Sequence, residues 1–497
     1  MKSKSLVILA VGTGIFIFSN GNWTIPVAAW IAPIFLIRFL RTSKPVSGSL
    51  ILFFAILFST YAMLFGIIPP FLGILAIILT IYYAVLTFLP FLLDRLLVPK
   101  IGGFLATLIF PAAYVAFEYV AGLFYGTWNS LAYTQAGNLP LLQIMSVTGL
   151  WGVTFLIAWF GAVINWAWEH DFQIERIRSG AVIYLSVMIA VLALGGLRLT
   201  FNDPGKETVK IATIAGVDES SSYKEALAEA GYTSLFEWAI DDPHSAREMI
   251  VKAHDELLEI TKEVSETSAK IIVWPEGMVL VAAKDEPALI EKAAQIAREK
   301  EIYIKLAYFM FPENYPEQFG NNKAVFLGPS GNVIWHYDKA YPVPGATHVA
   351  GDGIIPVHKS EFGKLSTAIC YDMDFPGFIN QTGKLGTDIM LVPAWDWREI
   401  DLLHTDMAIY RAIENGFTLV RSTGEGLSVV VDRTGRVQAA LDYFRKNDGV
   451  MTAHAPVNGT WTIYSLIGDL FAQLCVITAI GFVAFAFIKS IKMNAKN

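Results

Sequence analysis

The sequence predicts a polytopic membrane protein with a layered α/β domain inserted between its last two membrane helices. Three observations carry this. The 497-residue chain is 54% hydrophobic and 16% charged, with a mean hydropathy of +0.48, which is too apolar for a soluble protein. The apolar sequence is gathered in two blocks, residues 1–200 and 460–497, around a middle block, 201–459, of ordinary charge density. That middle block interleaves strand-like and helix-like runs. The formal net charge of −7, carried mostly by the middle block, argues against a nucleic-acid partner.

Apolar runs long enough, or nearly so, to cross a bilayer begin near Leu6, Ile25, Leu50, Phe71, Gly103, Ile144, Ala181 and Ile463. The first is short and follows Lys2 and Lys4, as in a signal peptide, but no small-residue cleavage site follows and it reads as an uncleaved helix. The connections alternate in charge. Lys2 with Lys4, Arg38 with Arg41 and Lys44, Arg95 with Lys100, Arg176 with Arg178, and Lys489 with Lys492 and Lys496 fall at every second turn. Residues 20–23, 68–70 and 125–142 carry no charge. The positive-inside rule makes the charged side cytoplasmic and places the middle block outside. Glu118 lies within a predicted span, where an acid is expensive and faces the bundle interior; it serves either as a hydrogen bond between helices or in lipid handling.

In the middle block, strands are predicted at 209–215, 270–274, 302–311, 364–370 and 388–392, hairpins at 324–335 and 427–441, and helices at 245–264 and 405–415. Three strand ends carry reactive groups: Glu276, Lys339 and Cys370. Cys370 is the single cysteine of this block, so it has no disulfide partner within its own domain; Cys475 lies in the last apolar run. Singly, each has a bland explanation, a turn cap, a solvated hairpin lysine and a small buried hydrophobe. Together they form a usable set. A carboxylate takes the thiol proton and returns it to a leaving group, a lysine holds an oxyanion, and a thiolate stores an acyl group as a thioester.

In order and spacing, the motifs Val273-Trp274-Pro275-Glu276-Gly277, Tyr337-Asp338-Lys339 and Ile369-Cys370-Tyr371-Asp372 resemble those of the nitrilase superfamily, over roughly residues 209–454. The resemblance implies an α-β-β-α sandwich, with Glu276 as general base, Lys339 as oxyanion stabiliser, Cys370 as nucleophile and the Tyr371 N–H beside the oxyanion. Residues 138–152 and 111–122, the latter including Glu118, resemble the membrane signature of the bacterial apolipoprotein N-acyltransferase family, so the similarity spans almost the whole chain. That family implies a phospholipid acyl donor and, as acceptor, the α-amine of a diacylglyceryl-cysteine lipoprotein. Tyr341, Phe375, Phe378, Trp395 and Trp397 lie near the motifs and could line an acyl entrance or belong to the core.

The chain departs from the family at several places. Thr347 stands where the family has a second glutamate, with His348 beside it as a candidate substitute. An Asn-rich segment is replaced by residues 215–219, the acid after the Cys-Tyr pair is Asp372, the segment after Val392 reads Pro-Ala-Trp-Asp-Trp, and Ala121 replaces an arginine. These changes leave thioester chemistry intact and the acceptor open. A membrane-tethered amidase, or an acyltransferase acting on another amine, shares the same triad; a non-enzymatic scaffold is the reading of another class. The scattered histidines lack metal-ligand spacing and no glycine-rich phosphate loop precedes a helix, so neither metal nor cofactor is expected.

Overall fold

The computed structural model describes residues 3–68, 72–201, 207–214, 221–233, 235–315, 317–445 and 449–494. Lys2, residues 69–71, residues 215–219 and Lys496 lie outside the described residues. The chain divides into two compact units: Met1–Asp203 with Asp374–Gly377 and Thr462–Asn497, and Pro204–Met373 with Phe378–Trp461.

The first unit is helical. Its long helices are α1 (Ser3–Phe16), α2 (Pro26–Thr42), α3 (Pro45–Leu64), α4 (Ile74–Ile101), α5 (Ile109–Tyr125), α6 (Leu150–Glu169) and α7 (Ile174–Phe201), followed much later by Leu470–Asn494. Each predicted apolar run has a helix at its place. Among the described residues, six are long and apolar enough to span a bilayer: α3, α4, α5 with its preceding turn, α6, α7 and the last. With 14 residues α1 falls short, and with 17 α2 sits at the lower limit. Several starts differ from expectation, two of them because of a glycine with positive φ. Gly149, at φ +64°, breaks the chain before α6, so that helix begins at Leu150 rather than near Ile144. Gly468, at φ +56°, ends a short helix Ile463–Ile467 and delays the last one to Leu470. The helix expected from Ala181 begins earlier, at Ile174.

Glu118, in α5, is fully engaged: Oε1 accepts from Leu131 N at 2.9 Å, and Oε2 from Ser130 Oγ at 2.9 Å and Thr154 Oγ1 at 2.8 Å. The carboxylate therefore ties α5 to α6 and to the short turn after Ser130.

The second unit contains two sheets. Its strands are β1 (Thr208–Ile214), β2 (Ile271–Val273), β3 (Leu280–Ala282), β4 (Tyr303–Phe311), β5 (Asn321–Leu327), β6 (Val333–Asp338), β7 (Val357–Ser360), β8 (Gly363–Thr367), β9 (Ile389–Ala394), β10 (Thr418–Thr423), β11 (Leu427–Val431), β12 (Val437–Asp442) and β13 (Val450–Pro456). One sheet runs β13-β1-β2-β4-β5-β6 with β3 added on β4; the other runs β12-β11-β10-β9-β8-β7. Alternation along the strands separates two cores. Inward residues such as Ile211, Val273, Tyr303 and Phe326 meet Leu365, Leu391 and Val420 of the other sheet. Outward residues such as Ile272, Ile304 and Val325 meet Leu257 and Ala293 of the helices Pro243–Ser265 and Glu286–Lys300. The helix Asp401–Asn415 packs along β10 and β11 on the other side, with Thr405 Oγ1 donating to Leu427 O. This is the α-β-β-α sandwich that the resemblance implied.

Polar bolts cross between the sheets. Ser422 Oγ is 3.0 Å from both Ile214 O and Val273 O. Lys305, fully buried, donates to Leu391 O at 2.6 Å and to Thr367 Oγ1. Burial pulls its pKa well below the ordinary lysine value, so it serves as a neutral amine bridge. One sequence expectation is corrected. The strand read as running to Cys370 stops at Thr367, and Cys370 opens a 3₁₀ turn, Cys370–Asp374, at φ +49°. Left-handed φ is incompatible with the ladder, so the strand must end first.

Candidate active site

All three candidate residues lie just past the ends of strands of the sandwich. Pro275 lacks the N–H that a strand needs, so β2 ends and Glu276 turns inward, its own N–H reaching Ala394 O at 3.3 Å. Lys339 follows β6 directly and is fixed by backbone bonds to Asn322 O and from Gly351 N, both 2.8 Å. Cys370 sits at the head of its strained turn, the kind of left-handed placement that thrusts a nucleophile out of a sheet.

The three meet. Lys339 Nζ donates to Glu276 Oε1 at 2.6 Å, and Asn322 Nδ2 donates to the same oxygen at 2.6 Å. Glu276 Oε2 accepts from Trp395 N at 3.0 Å, and the Cys370 thiol, close enough to feel the Glu276 charge, reaches Trp395 O at 3.6 Å. Their exposures are 5%, 2% and 5% for Glu276, Lys339 and Cys370, so their mutual fields are weakly screened.

The fields set the protonation states. Burial raises the Glu276 carboxyl, but Lys339 and the hydrogen bonds to Cys370, Lys339 and Asn322 outweigh it, and the net shift is downward. Burial lowers Lys339, yet Cys370 and Glu276 bring it above the ordinary lysine range. Cys370 goes well above the usual thiol value, through burial first and then Glu276, with Lys339 opposing. The resting site is therefore carboxylate, ammonium and neutral thiol. Lys339 alone would favour thiolate; burial and Glu276 outweigh it, so the thiol must lose its proton during attack.

The secondary candidates sort differently. Asp372 braces the turn: Oδ2 accepts from Ile369 N at 2.9 Å and Tyr337 OH at 2.6 Å, and Oδ1 from Tyr341 N at 2.8 Å. Burial raises its pKa to about 6 against these donors. His348 is buried, and among the described residues no partner reaches its Nε2. Burial and then Lys339, only partly opposed by Glu276, lower its pKa to about 4, leaving it neutral beside those two residues. Tyr371 is buried next to Cys370. Of the aromatic residues, Trp395 is 40% exposed and Trp397 and Tyr341 are half-buried, whereas Phe378 and Phe375 are buried. Phe378 packs edge-on against Tyr341 at 5.3 Å, and Phe375 belongs to the segment that groups with the helical unit.

Sequence reasoning missed an ion network next to the thiol. Cys370, Asp396 and His404 place ligand-type atoms within 4.8 Å of one another. The set already has its cation: Arg421 lies 2.9 Å from both Asp396 oxygens and 3.1 Å from His404 Nδ1, and His404 Nδ1 is 2.6 Å from Asp396 Oδ1. Burial raises Asp396, but Arg421 and His404 bring it below its ordinary value. Because Asp396 lies between Trp395 and Trp397, the network anchors the loop whose backbone bonds Glu276 and Cys370. A buried-looking Trp-Asp-Trp was the one visible sign.

Comparison with known proteins fits both units. Residues 248–460 match the carbon-nitrogen hydrolase family, and residues 13–163 match the apolipoprotein N-acyltransferase N-terminal domain. The joint occurrence of the two in one chain is decisive. The chain belongs to the apolipoprotein N-acyltransferase family. A relative from Geobacter metallireducens, named apolipoprotein N-acyltransferase, is 26% identical over 417 residues, 76% of this chain and 74% of its own. Another of that name from Thermotoga maritima is 25% identical over 435 residues, covering 84% and 78%. Among solved structures, an amidase from Nesterenkonia sp. covers 50% of this chain and 91% of its own, at 23% identity and a TM-score of 0.38. Like its family, this chain is a multi-pass membrane enzyme of the acyltransferase type.

Proposed function

We propose that this protein moves a fatty acyl chain from a phospholipid to the N-terminal amine of a diacylglyceryl-cysteine lipoprotein, through a thioester on Cys370. The observation that carries the reading is the buried Glu276 carboxylate, bonded to Lys339 Nζ at 2.6 Å and close enough to the Cys370 thiol for its charge to raise the thiol pKa. Glu276 accepts the thiol proton as sulfur attacks the ester carbon of the donor. The tetrahedral oxyanion is held by Lys339 Nζ and the Tyr371 N–H. The C–O bond breaks, and Glu276 returns the proton to the departing lysophospholipid oxygen. In the second half the acceptor amine attacks the thioester carbon, Glu276 takes the amine proton, and the C–S bond breaks with that proton passing to sulfur. The products are an amide and the free thiol. His348, neutral and buried beside Lys339, takes the polar position that the family fills with a second glutamate. Trp395, Trp397 and Tyr341 border the acyl entrance, and the positive clusters support an extracytoplasmic catalytic unit.

The test is mass spectrometry of N-terminal lipopeptides from cells carrying the wild type or Cys370→Ala. An extra acyl chain on the N-terminal cysteine with the wild type alone is expected. Identical lipopeptides in both would sink the acceptor assignment and turn the search to another amine or amide.

A further inference from the structure

The helical unit holds a second concavity, at the end where α2, α4 and α6 finish. It is a cleft of about 350 Å³, within the range of small-ligand sites, and its lining includes Arg41, Arg95, Gly102, Gly103, Trp166 and His170. α7 starts beside it at Ile174 and runs 28 residues before the chain leaves for the catalytic unit. At 1.5 Å per residue the cleft is therefore roughly 40 Å from that exit.

Its charge is unevenly satisfied. Arg41 is committed to Asp94 at 2.6 Å and Glu169 at 3.1 Å. Arg95 is held by two backbone carbonyls, Arg41 O and Ser43 O. Neutral carbonyls fix a cation without cancelling its charge. The indole of Trp166 adds an independent sign. It is 7% exposed, it lines the cleft, and among the described residues no acceptor meets its Nε1. A buried donor left without an acceptor calls for a missing partner. Val98 and Ala106 add apolar lining, and the carboxylate of Glu169, which also lines the cleft, is paired with Arg41.

We infer that this cleft binds the phosphate-bearing headgroup of an anionic glycerophospholipid, with Arg95 and the Trp166 N–H as its donors. Basic pockets between membrane helices at the positively charged end recognise such headgroups. The inference does not rest on the proposed transfer reaction.

Native mass spectrometry of the detergent-purified full-length protein tests it, with phosphatidylglycerol, phosphatidylcholine and inorganic phosphate as probes. The wild type is expected to retain one phosphatidylglycerol more than Trp166→Phe or Arg95→Gln and to prefer it to phosphatidylcholine. Each variant should weaken that binding about tenfold or more, as loss of one charge-assisted hydrogen bond predicts. Trp166→Phe removes the N–H and keeps the ring, so it separates binding from folding should Arg95→Gln destabilise the helix ends. Acyl transfer by Trp166→Phe should stay at the wild-type rate. Equal retention of both lipids, or no change in Trp166→Phe, would overturn the inference. Binding of inorganic phosphate at wild-type lipid strength would overturn the lipid assignment by showing a site for the free anion.

Discussion

At the scale of single residues, the arrangement around Glu276 makes the roles separable. The carboxylate is ionised, the thiol is not, and Lys339 stays protonated. Glu276→Gln therefore keeps the hydrogen-bonding shape and removes the base. Acyl-enzyme formation, read as the mass added to Cys370 on incubation with phospholipid, should fall by about 10²–10⁴-fold, the usual worth of a positioned general base. Cys370→Ala should show no added mass while eluting as a monodisperse, inserted protein. Full thioester formation in Glu276→Gln would mean that another group takes the proton.

Two connecting elements, the turn Cys370–Asp374 and the loop through Trp395 and Trp397, bring the strand ends into a working site. Asp372 is the brace of the turn, and its pKa is raised to about 6 by burial. Below that pH it gains a proton and becomes a weaker acceptor for Ile369 N and Tyr341 N, so the turn loosens. The acid limb of kcat should then lie near pH 6. It cannot come from Glu276, whose pKa is shifted below the ordinary carboxylate value of about 4.3. Asp372→Asn should abolish that limb and lower kcat with little change in KM. A limb that persists unmoved in Asp372→Asn would assign it elsewhere. The loop is anchored by Asp396, whose negative charge raises the thiol pKa. Asp396→Asn removes that charge and leaves Arg421 uncompensated, and both effects favour thiolate. Alkylation of Cys370 by iodoacetamide should become faster, about tenfold for each unit by which the pKa falls, while acyl transfer slows because Trp395 loses its place. Slower alkylation would refute the electrostatic part. These elements also mark where the sequence stopped being legible. The strands were readable because their apolar runs are continuous, and the candidates Glu276, Lys339 and Cys370 because each follows such a run. The positive φ of Cys370 was not, since tertiary packing imposes it on a residue with no intrinsic preference for it. The Asp396–His404–Arg421 network was not either. Its members come from a loop, a helix and a strand, and no spacing links them.

For the whole molecule, the question is which side of the membrane receives the catalytic unit. Arg41, Lys44, Arg95, Lys100, Arg176, Arg178 and Lys489 all fall at the end of the helical unit where α2 and α4 stop and α7 starts. The bond from Lys489 to Lys100 O brings the end of the last helix to the same place. The short helices α1 and α2 do not disturb this count. They pack against each other, Gly12 against Leu36, and Asn22 Nδ2 in the connection between them donates to Phe65 O just past the end of α3, so that connection lies at the end away from Lys44. If the charged end is cytoplasmic, α7 delivers the chain to the opposite side. Single cysteines at Asn22 and Ser179, both exposed, report the two ends in a Cys370→Ala/Cys475→Ala background. A membrane-impermeant maleimide applied to intact cells should label the Asn22 position and spare Ser179 until the membrane is permeabilised. The reverse pattern would place the catalytic unit in the cytoplasm, away from lipoproteins that have already crossed the membrane, and the proposed acceptor would fall with it.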